Sequence, residues 1–324
     1  METIQRSSLL DQLQLRKDKL IRTIRSVPEP SKLVNLLQQV DAALEKAEHG
    51  AYGICEICND PIEEERLLAD PLVTVCLGCL SEHQQKALEN DLEFAAKIQR
   101  NLLPKKNLKI DGWEFSYHYN PVGVVSGDFV DLIPLNDDSL IFVIGDVAGK
   151  GISASLMMTH LHGLIHSLVS FGMQVNEIVS KVNRLFCEST LYTNYATLIM
   201  GKANTNGTID ICVAGHNPPL VLKSGELINV PATGLPVGLF CESEYEMKTI
   251  ALQKNDSILL YTDGLTESMA DGIEYGEERV KSLLMQTNGT APKEFIDQLL
   301  SDHKAWLRQS LPADDLSIMM IKKN

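Results

Sequence analysis

The chain of 324 residues contains no uninterrupted apolar run of about 18 residues, the length a membrane-spanning helix requires. Its opening, METIQRSSLLDQLQLRKDKL, lacks the apolar core of a signal peptide. These two absences lead to the expectation of a soluble, cytoplasmic protein with no membrane partner. Positive charge is also scarce. Twenty-nine Lys and Arg face 43 Asp and Glu, for a formal net charge of −14. Non-specific binding to nucleic acid needs a basic face, so this balance argues against a nucleic-acid partner. The common phosphate cradles are missing as well. No G-x-x-x-x-G-K-[ST] or G-x-G-x-x-G loop occurs, and GKGISAS, which resembles one at first sight, lacks the spacing. What is present is 44% apolar residues, ample for a sizeable core and for two domains.

Cysteine is present in an odd number, seven. Cys187, Cys212 and Cys241 stand alone in apolar surroundings, where a thiol usually serves as a small buried hydrophobe. The other four lie in CEICNDPIEEERLLADPLVTVCLGC, residues 55–79, with the spacing C-x2-C-x17-C-x2-C. Each C-x-x-C turn aims two thiolates at one point, so Cys55, Cys58, Cys76 and Cys79 make a four-thiolate Zn²⁺ site. Two redox dithiols or a pair of disulfides are the alternatives, disfavoured by a reducing cytoplasm and by the doubled spacing. A site with four protein ligands has no open position, so its zinc is expected to be structural.

Two amphipathic segments precede the thiols, at roughly 2–25 and 31–48. Leu9, Leu13, Leu20, Ile21 and Ile24 fall on one stripe, and Leu33, Leu36, Leu37, Val40 and Leu44 on another. The prolines of SVPEPS separate them, which predicts an antiparallel helical hairpin. After the thiols, residues 81–103 form a helix ending before Pro104, with Leu88, Leu92, Ala95, Ile98 and Leu102 in a narrow stripe. That stripe fits either a helix docked on the following domain or a signalling seam that pairs two chains as a homodimer.

Hairpin and knuckle together resemble the DksA/TraR zinc-finger family over about residues 1–82, through Tyr52, Gly53, Cys55, Cys58, Ile62, Arg66, Leu67, Pro71, Cys76 and Cys79. Members of that family can insert an acidic helical tip into the secondary channel of RNA polymerase. Here the turn IRSVPEPSK carries one Glu and no paired aspartates. The expected role is therefore an input or dimerisation module. The rival reading is an RNA-polymerase-binding regulator whose C-terminal domain is inactive.

From Trp113 the pattern changes to short apolar strands and glycine-rich turns. WEFSYHY, VSGDFVDLIPL, LIFVIGDV, YATLIMGKAN, TIDICVAG, PLVLK, SILLYTD and LSIMMIK read as strands, with helices over 152–170, 175–188, 276–286 and 292–309. Grouped helices among many strands predict an α+β fold: two packed antiparallel sheets flanked by helices. Several of the apolar runs begin or end on a carboxylate. Asp146 closes one, Asp263 another, and Asp314 and Asp315 open a third; Asp128 lies beside a glycine turn. A buried carboxylate without a partner costs several kcal/mol, so this recurrence asks for a cation. Oxygen ligands without histidine in these motifs suit Mg²⁺ or Mn²⁺. Asp131, at an odd offset from Asp128, should face the other side of its strand and be structural. His162 and His166 are spaced to share a helix face, but with no third ligand near them in the sequence they read as a polar surface. His216 reads as hydrogen-bonded in its turn.

The ordered motifs VVSGDFVDL, IGDVAGKGISASLMM, AGHNPPLVL, TGLPVGL, LYTDGLTE and ADDLSIMMIK resemble those of the PPM-type metal-dependent protein phosphatases, in the RsbU/SpoIIE branch. The resemblance covers about residues 86–324, with Ser126 where a glycine and Val130 where an aromatic is common. It implies an αββα sandwich and a two-ion Mn²⁺/Mg²⁺ serine/threonine phosphatase that works by a metal-activated water. By the same resemblance Asp146 bridges both ions, the Val147 carbonyl adds a ligand, Asp263 and Asp314 complete one ion, and Asp128 ligates nearby. Asp315 is implied to be a neighbour rather than a ligand. The implied substrate is a phosphoserine or phosphothreonine on a regulatory protein of the anti-anti-sigma (STAS) type. The expected organisation is a hairpin over 1–50, the finger over 51–80, a linker helix over 81–104 and the phosphatase domain over 105–324, with the finger regulating the enzyme.

Overall fold

The computed structural model describes residues 3–25, 30–105, 110–190, 194–308, 310 and 312–324. It divides into two compact units, Met1–Asp91 and Leu92–Asn324. No helix among the described residues is long and apolar enough to cross a membrane.

In the first unit, α1 (Thr3–Ile24) packs on α2 (Ser31–Glu48). Leu13 and Leu20 of α1 and Val40 and Ala43 of α2 are buried together with Tyr52, Cys55, Ile62, Leu67 and Cys76. The two leucine stripes thus close over the thiol knuckle, which has too few apolar residues for a core of its own. Most of the turn SVPEPS, residues 26–29, lies outside the described residues. A short α3 (Glu64–Ala69) lies between the two knuckles, and a 3₁₀ turn at Leu77–Cys79 closes the second one ahead of α4 (Glu82–Leu102), the helix expected from the stripe after the thiols.

In the second unit, β1 (Trp113–Asn120), β2 (Asp128–Pro134) and β3 (Leu140–Val147) lead into α5 (Gly151–Val169) and α6 (Val175–Ser189). Then follow β4 (Ala196–Ala203), β5 (Thr208–Ala214), β6 (Leu220–Lys223), β7 (Glu226–Asn229), β8 (Lys248–Ala251) and β9 (Ser257–Tyr261). The one-turn helix α7 (Asp263–Thr266), β10 (Met269–Ala270), β11 (Ile273–Glu274), α8 (Glu277–Gln286), α9 (Pro292–Leu307) and β12 (Leu316–Lys323) complete it. The larger sheets are antiparallel, ordered β1-β12-β9-β6-β7 and β2-β3-β4-β5-β8. All eight strands read from the sequence are present. Among the described residues four further strands were unforeseen, β7, β8, β10 and β11, which have no more than four residues each and are largely exposed.

Alternation along β3 explains the layers. Ile141 and Val143 face α5 and α6, where they meet Met158, Leu161, Ile165 and Val182. Leu140, Phe142 and Ile144 face the other sheet, where they meet Ile258, Leu260, Met319 and Ile321. On its outer side that second sheet packs Leu259, Ile318 and Met320 against Val280, Phe295 and Leu299 of α8 and α9. The result is the expected αββα sandwich. Strands covered on both faces need apolar residues at every position, which is why they read as unbroken runs rather than alternating ones.

Candidate active site

The register of β2 on β3 sets Asp128 directly opposite Asp146. In the other sheet, β9 and β12 pair with Tyr261 opposite Ile318. Asp263, just after β9, and Asp314 with Asp315, just before β12, therefore emerge at the same end of that sheet. Side chains tie the two ends together. Thr262 Oγ donates to Asp128 Oδ2 at 2.8 Å and accepts the Ser317 amide at 3.0 Å. Asp315 accepts from the Val122 amide (2.8 Å), the Ser126 hydroxyl (2.6 Å) and the Gly127 amide (3.2 Å), so it anchors the loop before β2. Asp315 is thereby occupied with protein donors. Asp128, Asp146, Asp263 and Asp314 are brought to one end of the sandwich.

Two glycines make this approach feasible. A Cβ on Gly264 would stand 1.9 Å from the carbonyl oxygen of Asp315. A Cβ on Gly127 would stand 2.8 Å from the Val147 carbonyl oxygen and 3.4 Å from Asp146 Oδ1. The Val147 carbonyl and the Asp146 carboxylate thus both border the space beside Gly127.

Electrostatics show the strain of this gathering. Burial pushes the Asp128 carboxyl well above its ordinary range, and the charge of Asp146 adds to the effect. Burial likewise pushes Asp146 up to about 7, with Asp263, Asp314 and Asp315 contributing. Asp263 is raised by burial and then by Asp314. Against them stands Lys150, whose Nζ lies 2.8 Å from Asp314 Oδ2 and donates to the Ala313 carbonyl at 2.9 Å, largely in solvent. Carboxylates that raise one another's proton affinity are complemented by further positive charge. The donors are oxygens alone, so the residues fit a hard divalent ion such as Mg²⁺ or Mn²⁺.

His216 sits outside this group. Its Nε2 donates to the Tyr261 carbonyl (3.1 Å) and its Nδ1 accepts from Thr197 Oγ (2.7 Å). Burial lowers its pKa to about 4, so the ring is neutral. Thr197 is the register partner of Asp146, and Tyr261 precedes Asp263 by two residues. His216 therefore straps β4, the neighbour of the strand that carries Asp146, to β9, which Asp263 follows; it is hydrogen-bonded as expected, but to these strands rather than within its own turn.

Two expectations are corrected. His162 and His166 do have a third ligand nearby: Asp131, on the opposite side of β2 from Asp128, meets both imidazoles. Cys187 and Cys241 are not isolated hydrophobes but form a disulfide across 54 residues of sequence. Cys212 alone of the three is a fully buried thiol.

The four knuckle cysteines converge in the first unit, with their sulfurs within 4.8 Å of one another. Cys58 and Cys76 Sγ are 3.6 Å apart. Zn–S bonds of about 2.3 Å in a tetrahedron give S···S edges of about 3.8 Å, so the cage has the size of a zinc ion. Amide donors, led by that of Cys58, lower the Cys55 thiol to about 6, whereas the thiols of Cys58 and Cys79 are raised, so one thiolate here discourages the next unless a cation is shared.

Comparison with known proteins agrees with both halves. Residues 136–324 match the family described as Stage II sporulation protein E (SpoIIE), and residues 50–85 match the prokaryotic dksA/traR C4-type zinc finger. Among curated relatives, Protein IcfG of Synechocystis sp. is 26% identical over 72% of this chain and 42% of its own length. The phosphoserine phosphatase RsbU of Bacillus subtilis is 23% identical, with 78% of each chain covered. The chain thus spans less than half of IcfG and most of RsbU. Among solved structures, the SiaA-PP2C domain of Pseudomonas aeruginosa superposes with a TM-score of 0.66 at 18% identity, covering 74% of this chain and 99% of that domain.

Proposed function

The chain belongs to the SpoIIE family, and from that premise we propose that it is a Mn²⁺- or Mg²⁺-dependent phosphatase of phosphoserine or phosphothreonine in a regulatory protein. The observation that carries this reading is the convergence of Asp128, Asp146, Asp263 and Asp314, three of them with raised proton affinity. Asp146 would hold two ions together, beside the Val147 carbonyl. Asp263 and Asp314 would complete one ion, with Asp128 behind them. A bound pair of divalent ions supplies Lewis acidity and an acidified water at neutral pH. The chain's own residues do the positioning. Thr262 orients Asp128, Asp315 fixes the loop before it, and Lys150 holds Asp314 from the solvent side.

The relative named a phosphoserine phosphatase supports this bond type. We place the substrate among anti-anti-sigma proteins of the STAS type. In this reading residues 1–50 and 51–80 are a zinc-stabilised input module, 81–104 a linker helix that also pairs two chains, and 105–324 the phosphatase domain.

The test is phosphate release from a STAS-domain protein phosphorylated on serine, with Mn²⁺ present. Release by the wild type and its loss in Asp263→Asn are the expected results. Turnover of an aryl phosphate but none of the phosphoprotein would retain the enzyme and reject the substrate class.

A further inference from the structure

Asp131, His162 and His166 form a second cluster of metal-ligating side chains in the phosphatase unit. They lie on the helix-covered side of β2, the face opposite Asp128. His162 and His166 are one turn apart on α5, with ring centroids 4.2 Å apart. Both Nε2 atoms lie close to one oxygen: Asp131 Oδ2 is 2.5 Å from His166 Nε2 and 3.2 Å from His162 Nε2. The three ligand atoms lie within 4.8 Å of one another.

A plain hydrogen-bond network accounts for only part of this arrangement. The contact with His166 is a hydrogen bond. That with His162 is not: its Nε2 is buried and lacks a hydrogen bond although Asp131 Oδ2 is near. A buried ring nitrogen off the donor direction but close to a carboxylate oxygen and a second imidazole suits a lone pair directed at a shared ion. The other oxygen, Asp131 Oδ1, accepts the Leu132 amide at 2.8 Å, which fixes the carboxylate with Oδ2 toward the imidazoles. Such an outer hydrogen bond is the usual support of a metal-binding carboxylate.

We propose that Asp131, His162 and His166 are a divalent-metal site of zinc type, distinct from the thiol knuckle and from the aspartate cluster. The donor set decides the class. Two imidazoles and one carboxylate favour Zn²⁺ or a late first-row ion over Mg²⁺. Three protein ligands leave room for water on the side of His166, whose side chain is 43% exposed, whereas Asp131 and His162 are 6% and 12% exposed. An ion held there fastens α5 to β2. Those elements begin immediately after Lys150 and at Asp128, so the site braces the scaffold of the aspartate cluster from behind.

The experiment is zinc equilibrium dialysis on the metal-stripped full chain, with Mg²⁺ in excess to fill the oxygen ligands. Wild type is compared with His162→Gln/His166→Gln. The expected result is one zinc equivalent fewer in the variant, with the knuckle's zinc retained. Cobalt substitution should likewise lose a visible d–d band that lacks thiolate charge transfer. If the double variant fails to fold, His166→Gln alone, at the half-exposed position, makes the same comparison through weakened zinc affinity. Equal zinc stoichiometry and affinity in wild type and in the folded variant would overturn the site.

Discussion

The carboxamide of Gln99 pairs in both directions with the backbone of Ser126, donating to its carbonyl at 2.7 Å and accepting its amide at 3.1 Å. Ser126 in turn donates its hydroxyl to Asp315 and accepts the Asp128 amide at 3.0 Å. One residue therefore separates the last turns of α4 from the aspartate cluster. Helix α4 is docked at this end through buried Ala96 and Gln99, while Ile98 of the expected seam stays 43% exposed.

Replacing Gln99 by Leu leaves two buried backbone groups unpaired, at about 1–3 kcal/mol each. The expected outcome is a kcat reduced by about tenfold, equivalent to about 1.4 kcal/mol in the barrier, with a modest fall in melting temperature. Steady-state kinetics on an aryl phosphate measure it. An unchanged kcat would mean that the contact is only a strap.

Gly264→Ala places a methyl group 1.9 Å from the Asp315 carbonyl, a backbone atom that cannot swing aside. Overpacking of this kind costs about 1–3 kcal/mol or more. It should separate Asp263 from Asp314 and abolish activity, with a lower melting temperature. An active, equally stable Gly264→Ala would refute the close approach.

His216 is neutral when folded because burial holds its pKa near 4, whereas an unfolded histidine titrates near 6.5. A depressed folded pKa means that the unfolded chain binds the extra proton first. Stability from this group is therefore complete above about pH 6.5 and lost as pH falls toward 4, by at most about 3 kcal/mol. Denaturant titrations between pH 7 and 4.5 should show that slope in the wild type and a shallower one in His216→Gln. Imidazole NMR signals that titrate near 6.5 in the folded protein would contradict it.

Removing zinc from the four thiolates should melt the knuckle, whose fold depends on its ligands. Chelation, or Cys58→Ser with Cys79→Ser, is expected to raise hydrogen exchange across 50–80 while protection in β3, β9 and β12 persists. Unchanged exchange in the knuckle would show that the small cluster around Leu13 and Val40 suffices without metal.

Much of the sandwich was legible because its strands are covered on both faces, so LIFVIG and SILLY read as continuous apolar runs. The aspartates stood out for the same reason, as charges at the limits of those runs. Other residues gave no local sign. Gln99 looks like any polar position of an exposed helix, and Thr262 like a strand end. Asp131 and His162, on separate elements, meet only through the packing of α5 on β2. Cys187 and Cys241 likewise depend on a tertiary contact that no spacing rule signals. The short strands β7 and β8 mix charged and apolar residues, so neither period of pattern is long enough to register.

Counting manganese at the aspartate cluster tests the central claim most directly. Titration of the zinc-loaded chain with Mn²⁺, followed by electron paramagnetic resonance of the free ion, should reveal two bound ions per chain. Asp146→Asn should lose them together with aryl-phosphate turnover, while keeping its circular dichroism. Turnover that persists in Asp146→Asn, or a wild type that binds no manganese while active, would contradict the account.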